Sequence, residues 1–146
     1  MQILILLVAF AFILDVVRCD ASEIGSVYIK THHGTYITTD PGHNARVYQS
    51  DSAGDSERFT VLKLDDGRYA FRTNHGTYLR AIDDGSVNTH DSMDSWGKFE
   101  KVEVDGKMAF ITTHKTYLTA EEGAGAPIKA DRSVMDAEQR FDFERA

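Results

Sequence analysis

The chain has 146 residues, a formal charge of −7 and a single cysteine, Cys19. Its Lys and Arg residues are spread singly, with no run of three, which disfavours nucleic acid, heparin-like polyanions and anionic lipid as partners. One cysteine excludes an internal disulfide framework and a cysteine-built zinc site.

Residues 3–14, ILILLVAFAFIL, are unbroken apolar. A bilayer span needs roughly 20 residues, whereas this run has the length of a secretory signal core. Residues 1–19 are therefore expected to be a signal peptide, although no Lys or Arg precedes the apolar run. Small residues place the cut after Cys19 (Val17 and Cys19) or after Ala21 (Cys19 and Ala21). An N-terminal anchor or a buried strand is the alternative. The mature chain is then expected to be secreted, without a thiol, and of a size for one domain over residues 25–146. A chain of that size buries roughly two thirds of its unfolded surface. No Asn-x-Ser/Thr sequon occurs.

The rest of the chain repeats itself. The stretches are VYIKTHHGTYITTDPG (27–42), YAFRTNHGTYLRAIDDG (69–85) and MAFITTHKTYLTAEEG (108–123). Tyr36, Tyr78 and Tyr117 lie 42 and 39 residues apart. A base followed by Phe recurs as Arg58-Phe59, Lys98-Phe99 and Arg140-Phe141, and Val47, Val87 and Ile128 recur in the same register. Three landmarks in one register define three units, 27–67, 68–106 and 107–146.

Each unit reads as four strands. Val27/Ile29, Tyr69/Phe71 and Met108/Phe110 sit at i and i+2, the spacing of a half-buried strand. A tight turn follows, with Gly34 and Gly76 free to take positive φ. Lys115 stands there in the third copy, so that turn is expected to differ. Tyr-aliphatic pairs open a second strand, and Asp40-Pro41-Gly42, Asp83-Asp84-Gly85 and Glu121-Glu122-Gly123 carry turn chemistry. Residues 47–50, 87–90 and 128–130 form a third strand. The Phe-led runs FTVLKL, FEKVEV and FDF form the fourth. Asp66-Gly67 and Asp105-Gly106 join the units as hairpins. The last unit has no such junction, so its final strand is expected to pair with the first, near Val27. Three units of four strands then close an all-β β-trefoil, a six-stranded barrel with a hairpin cap. An open repeat array would leave long free edges. No stretch keeps helical periodicity for ten residues.

The quoted pattern, with GTYLRAIDDG and TYLTAEEGAG, resembles the fascin-like actin-crosslinking β-trefoils. Residues 30–38, KTHHGTYIT, are similar to hisactophilin. The resemblance spans roughly residues 25–146 and implies a non-enzymatic protein that binds or crosslinks actin filaments. Two departures stand out: actin-binding members work in the cytoplasm, and Met1-Gln2 excludes the N-myristoylation that Met-Gly permits. A carbohydrate-binding module and a cytokine-like receptor ligand are the alternatives. Ricin-type lectin repeats carry Gln-x-Trp, and this chain has one Trp.

No HExxH, GxSxG or phosphate-loop motif occurs, and the acid pairs all fall in turns. No catalytic residue, cofactor or metal is expected, and the protein is expected to be a monomer. The candidate partner-binding residues are His33, His75 and His114, one per repeat, and the unique Trp96. Three roles fit the histidines: capping of their turns, a switch by imidazole protonation, or a three-His metal site. Trp96 aligns with Ser56 and Glu138 and is either loop packing or a ligand contact.

Overall fold

The computed structural model describes residues 21–146; the expected signal peptide, residues 1–19, lies outside them. Twelve strands form in the described chain, with only single 3-10 turns between them. Six build a barrel: β1 (Ala21–Thr31), β4 (Arg58–Leu64), β5 (Tyr69–Thr73), β8 (Glu100–Val104), β9 (Lys107–Ile111) and β12 (Phe141–Arg145). Antiparallel pairing runs β1–β4, β4–β5, β8–β9, β9–β12 and β12–β1. The step from β5 to β8 is made by Tyr69 and Phe99, which exchange backbone bonds of 2.7 and 2.8 Å. The ring is thus closed. The register of its last step, Val27 with Arg145, Ile29 with Phe143 and Thr31 with Phe141, is the head-to-tail zipping that the missing third hairpin calls for.

The other six strands form three hairpins over one end of the barrel. They are β2 (Tyr36–Thr39) with β3 (Val47–Ser50), β6 (Tyr78–Ala81) with β7 (Val87–His90), and β10 (Tyr117–Ala120) with β11 (Ile128–Arg132). Single bridges join each hairpin to the others: Arg46 to Asn88, Tyr48 to Pro127 and Ser86 to Lys129. The fold is a β-trefoil.

The repeat landmarks become layers of one core. Phe59, Phe99 and Phe141 are buried, as are Ile29, Phe71 and Phe110, then Ile37, Leu79 and Leu118, and at the cap Val47, Val87 and Ile128. Alternation along β3 and β7 sends every second residue inward, as strand geometry requires. Each such side chain contributes about 1.5–3 kcal/mol by leaving water. Burial is dense enough that a chain without disulfides holds together by its apolar centre.

β1 begins at Ala21, earlier than the expected boundary at residue 25. Ala21 pairs with Leu64 and packs onto a small outer cluster of Leu62, Leu64 and Ala70. The hairpin from Val104 to Lys107 turns on Asp105 (φ 53°) and Gly106 (φ 79°), the positive-φ pair that suits a two-residue β-turn.

One expectation is corrected. The turn at Lys115 does not differ from its two counterparts. Lys115 adopts φ 67°, beside 81° at Gly34 and 84° at Gly76. The same bonds close all three turns: Thr31, Thr73 and Thr112 N–H groups donate to Thr35, Thr77 and Thr116 carbonyls at 2.7–2.8 Å. The surrounding frame imposes the left-handed conformation on a side chain that disfavours it.

Candidate functional site

The three turns share more than backbone. Written out, they are Thr31-His32-His33-Gly34-Thr35-Tyr36, Thr73-Asn74-His75-Gly76-Thr77-Tyr78 and Thr112-Thr113-His114-Lys115-Thr116-Tyr117. In each, the two threonine hydroxyls meet, at 2.6, 2.7 and 2.7 Å. The first hydroxyl also accepts the histidine N–H at 3.1–3.2 Å. The hydroxyl pair fixes where each histidine leaves the backbone, and so where its ring points.

Each ring then reaches into another repeat. Nε2 of His33 lies 3.0 Å from the Ala120 carbonyl, Nε2 of His75 lies 3.3 Å from that of Thr39, and Nε2 of His114 lies 3.0 Å from that of Ala81. Thr39, Ala81 and Ala120 are one position of the repeat, the last residue of the first cap strand. The histidine of unit 1 therefore holds unit 3, that of unit 2 holds unit 1, and that of unit 3 holds unit 2. A carbonyl only accepts, so Nε2 must carry the proton. Protonation at Nδ1 leaves that donor in place, so the staple serves in either charge state. Of the roles open to the histidines, capping of their own turn is not what the rings do: each bonds a carbonyl of another unit.

The cap interlocks in the same rotational sense. Gln49 is buried; its amide accepts from the Thr35 hydroxyl at 2.6 Å and donates to the Glu121 carbonyl at 2.6 Å. At the matching place in unit 2, the Thr89 hydroxyl donates to the Gly42 carbonyl at 2.7 Å. In unit 3 the Ala130 N–H donates to the Gly85 carbonyl at 2.8 Å. Buried Glu57 accepts from the Thr38 hydroxyl at 2.6 Å, and buried Gln139 donates to the Thr119 hydroxyl at 3.1 Å. These polar residues were not singled out from sequence. Their signal was present as Glu57-Arg58-Phe59 beside Gln139-Arg140-Phe141, with Gly97 in the middle copy.

The three repeated histidines do not converge on one another, since each bonds a different unit. Among the described residues no group of three or more His, Cys, Asp or Glu side chains is disposed to hold a metal ion. His43 and His90 instead pair with each other, ring centroids 4.5 Å apart, and His43 Nδ1 accepts the Asp91 N–H at 3.2 Å.

Trp96 sits in the 3-10 turn Ser95–Gly97, whose Asp94 carboxylate accepts the Trp96 N–H at 3.1 Å. Its indole lies 5.1 Å from the His114 ring, and the Arg80 guanidinium stands over it at 5.6 Å. The structure thus brings together Trp96 and His114 out of the four candidates. At the corresponding place beside His33 stands Glu138, its Oε2 3.5 Å from Nε2. Tyr36 donates from its hydroxyl to Glu144 at 2.8 Å, which holds that phenol above its usual range.

The acid pairs stay in turns, exposed except for the half-buried Glu121. The Asp84 carboxylate accepts from the N–H and hydroxyl of Ser86 at 2.9 and 2.6 Å, and Asp66 accepts from Arg68. Both carboxylates are held below their usual range by these bonds.

The family model of the FRG1-like domain matches residues 28–141. The chain belongs to the FRG1-like domain family. This is a β-trefoil family related to the fascin- and hisactophilin-type actin-binding folds. Among solved structures, the FRG1-like chain is similar to a designed threefold-symmetric protein, ThreeFoil, with a TM-score of 0.74 and 20% identity over 82% of this chain and 97% of that one. It is also similar to SeviL, solved bound to asialo-GM1 saccharide, with a TM-score of 0.69 and 18% identity over 84% of this chain and 98% of that one. At such identities the likeness is one of fold. No curated protein matches the sequence.

Proposed function

We propose that this FRG1-like β-trefoil is a secreted, non-enzymatic binding domain whose partner is the actin filament, engaged through surface loops. The observation that carries the reading is the family match across residues 28–141, in a family related to actin-binding trefoils. The internal chemistry is consistent with it. The repeated histidines and threonines, the buried glutamines and the phenylalanines all serve the frame, so recognition falls to side chains that vary between repeats. Trp96 with Arg80 is the most distinctive of these, an aromatic and a cation on unit 2 where units 1 and 3 carry Ser56 and Glu138. The apolar run at residues 3–14 supports export, which would make actin of another or a lysed cell the target.

Cosedimentation with filamentous actin tests the reading. The domain from residue 20 onward is expected to pellet with filaments, and Trp96→Ala to weaken that association. A domain that stays in the supernatant at every filament concentration removes actin as the partner. Saccharide binding is the second reading, favoured by the SeviL likeness; a glycan array separates the two.

A further inference from the structure

A polar cleft of about 360 Å³ lies where unit 3 meets unit 1. Lys30 and His32 come from the end of β1 and its turn, Lys107 from the start of β9, and Arg140 from the residue before β12. Asp105 and Asp142 complete the lining. Three permanent cations and one imidazole thus gather on a protein whose overall charge is −7.

Their pairing is uneven. Lys107 is bound to Asp142, and Lys30 stands 3.4 Å from Glu144. Arg140 is the exception. Its nearest carboxylate, Asp105, is 3.7 Å away and largely exposed, while the guanidinium side chain is only 33% exposed. Its Nε is buried and has no hydrogen-bond partner among the described residues. A buried donor left without a partner is destabilising, and guanidinium presents paired donors that match a two-oxygen anion.

The internal symmetry supplies a comparison. Alignment on Phe99 and Phe141 sets Lys98 at the place of Arg140, and the turn Asp66-Gly67-Arg68 at the place of Asp105-Gly106-Lys107. In unit 2 the guanidinium is on the turn, and Nε and Nη2 of Arg68 both bind Asp66 Oδ2, at 2.8 and 2.7 Å. The arginine there is satisfied by its own neighbour. The cleft between units 3 and 1 keeps the same architecture, but its arginine is held only by the long 3.7 Å contact of Nη1 to Asp105, and the partly exposed end of the guanidinium faces the cleft.

We infer that this cleft binds an anionic monosaccharide, its carboxylate or sulfate on Arg140 and Lys107, its hydroxyls between the lysines and the two aspartates. The volume suits one sugar ring, since small-ligand sites begin near 300 Å³. Alternating cations and carboxylates offer both donors and acceptors to a polyol, which a purely basic site does not. The inference is independent of the actin reading, because filament cosedimentation and small-ligand titration fail separately.

The test is a titration of the domain from residue 20 onward, followed by amide ¹H–¹⁵N spectra. Glucuronic acid, glucose 6-sulfate and glucose serve as three probes. A saturable shift at Gly34 and Gly106 is expected with one or both anions, and none with glucose. The anion that binds identifies carboxylate or sulfate as the recognised group. Arg140→Gln is expected to weaken binding about tenfold or more. Arg140→Lys, which keeps the charge and the fold but loses the fork, is expected to fall between. Lys101→Gln, in the separate cleft that Asp66, Gly67 and Arg68 line together with Glu100, is expected to leave affinity unchanged. Equal shifts with glucose, no saturation with either anion, or wild-type affinity in Arg140→Lys would overturn the inference.

Discussion

His114 Nε2 lies 3.0 Å from the carbonyl oxygen of Ala81, thirty-three residues earlier in the chain and in a different repeat. The same bond recurs from His33 to Ala120 and, at 3.3 Å, from His75 to Thr39. Removing a ring takes a donor from the carbonyl of a buried residue and leaves a gap between two units. His33→Ala and His114→Ala are each expected to lose about 1–2 kcal/mol of stability. His75→Ala, at the longer bond, is expected to lose less. Urea unfolding of the three variants gives the order; equal effects, or none, would contradict a staple role.

Lys115 offers the opposite sign. It occupies φ 67° where its two counterparts are glycine. A left-handed conformation costs a non-glycine residue about 1 kcal/mol or more, partly offset by the greater freedom glycine gives the unfolded chain. Lys115→Gly is therefore expected to raise stability by about 0.5–1 kcal/mol, seen as a higher urea midpoint with an unchanged slope.

Gly85 separates strain from space. It has φ 91°, and a Cβ there would stand 2.7 Å from Asp131 Cβ. Gly123, its counterpart in unit 3, has φ 106° but open space around it. Gly123→Ala is expected to cost about 1 kcal/mol from backbone strain alone. Gly85→Ala is expected to cost about 2–3 kcal/mol, because the β11 backbone must also shift. Thermal unfolding of the pair reads the difference directly.

On the acid side, Asp84 is held below its usual range by the hydroxyl and N–H of Ser86. A carboxylate whose folded value is depressed contributes stability that is present above the unfolded value, and that is lost as pH falls through the folded one. Asp84→Asn is thus expected to flatten the fall in stability below the usual carboxylate range of about pH 4, with little change in that slope at neutral pH. Urea midpoints measured from pH 6 down to pH 2 on both proteins would show it.

The fold was legible because its signals are redundant. Tyr36, Tyr78 and Tyr117 set the period, Phe59, Phe99 and Phe141 fixed the register, and the absent third Asp-Gly junction implied closure of β12 on β1. Strand alternation and turn residues act locally, so sequence displays them. The staples were less legible because their partners are backbone carbonyls, which carry no side-chain label. The repeated histidine was visible, but not that its acceptor lay in the neighbouring unit. The turn at Lys115 was misread for a related reason: local preference for glycine yields to a frame built from distant bonds. Gln49 and Gln139 were overlooked because a buried amide resembles a surface one until its partners are known.

The repeated imidazoles act as donors between units. Long-range ¹⁵N spectra of the imidazole rings report the tautomer of each directly. His33, His75 and His114 are expected as the Nε2–H form at neutral pH, each with a slowly exchanging ring proton, while His32 exchanges fast. Rings of the three found as Nδ1–H, or averaging between tautomers, would contradict it.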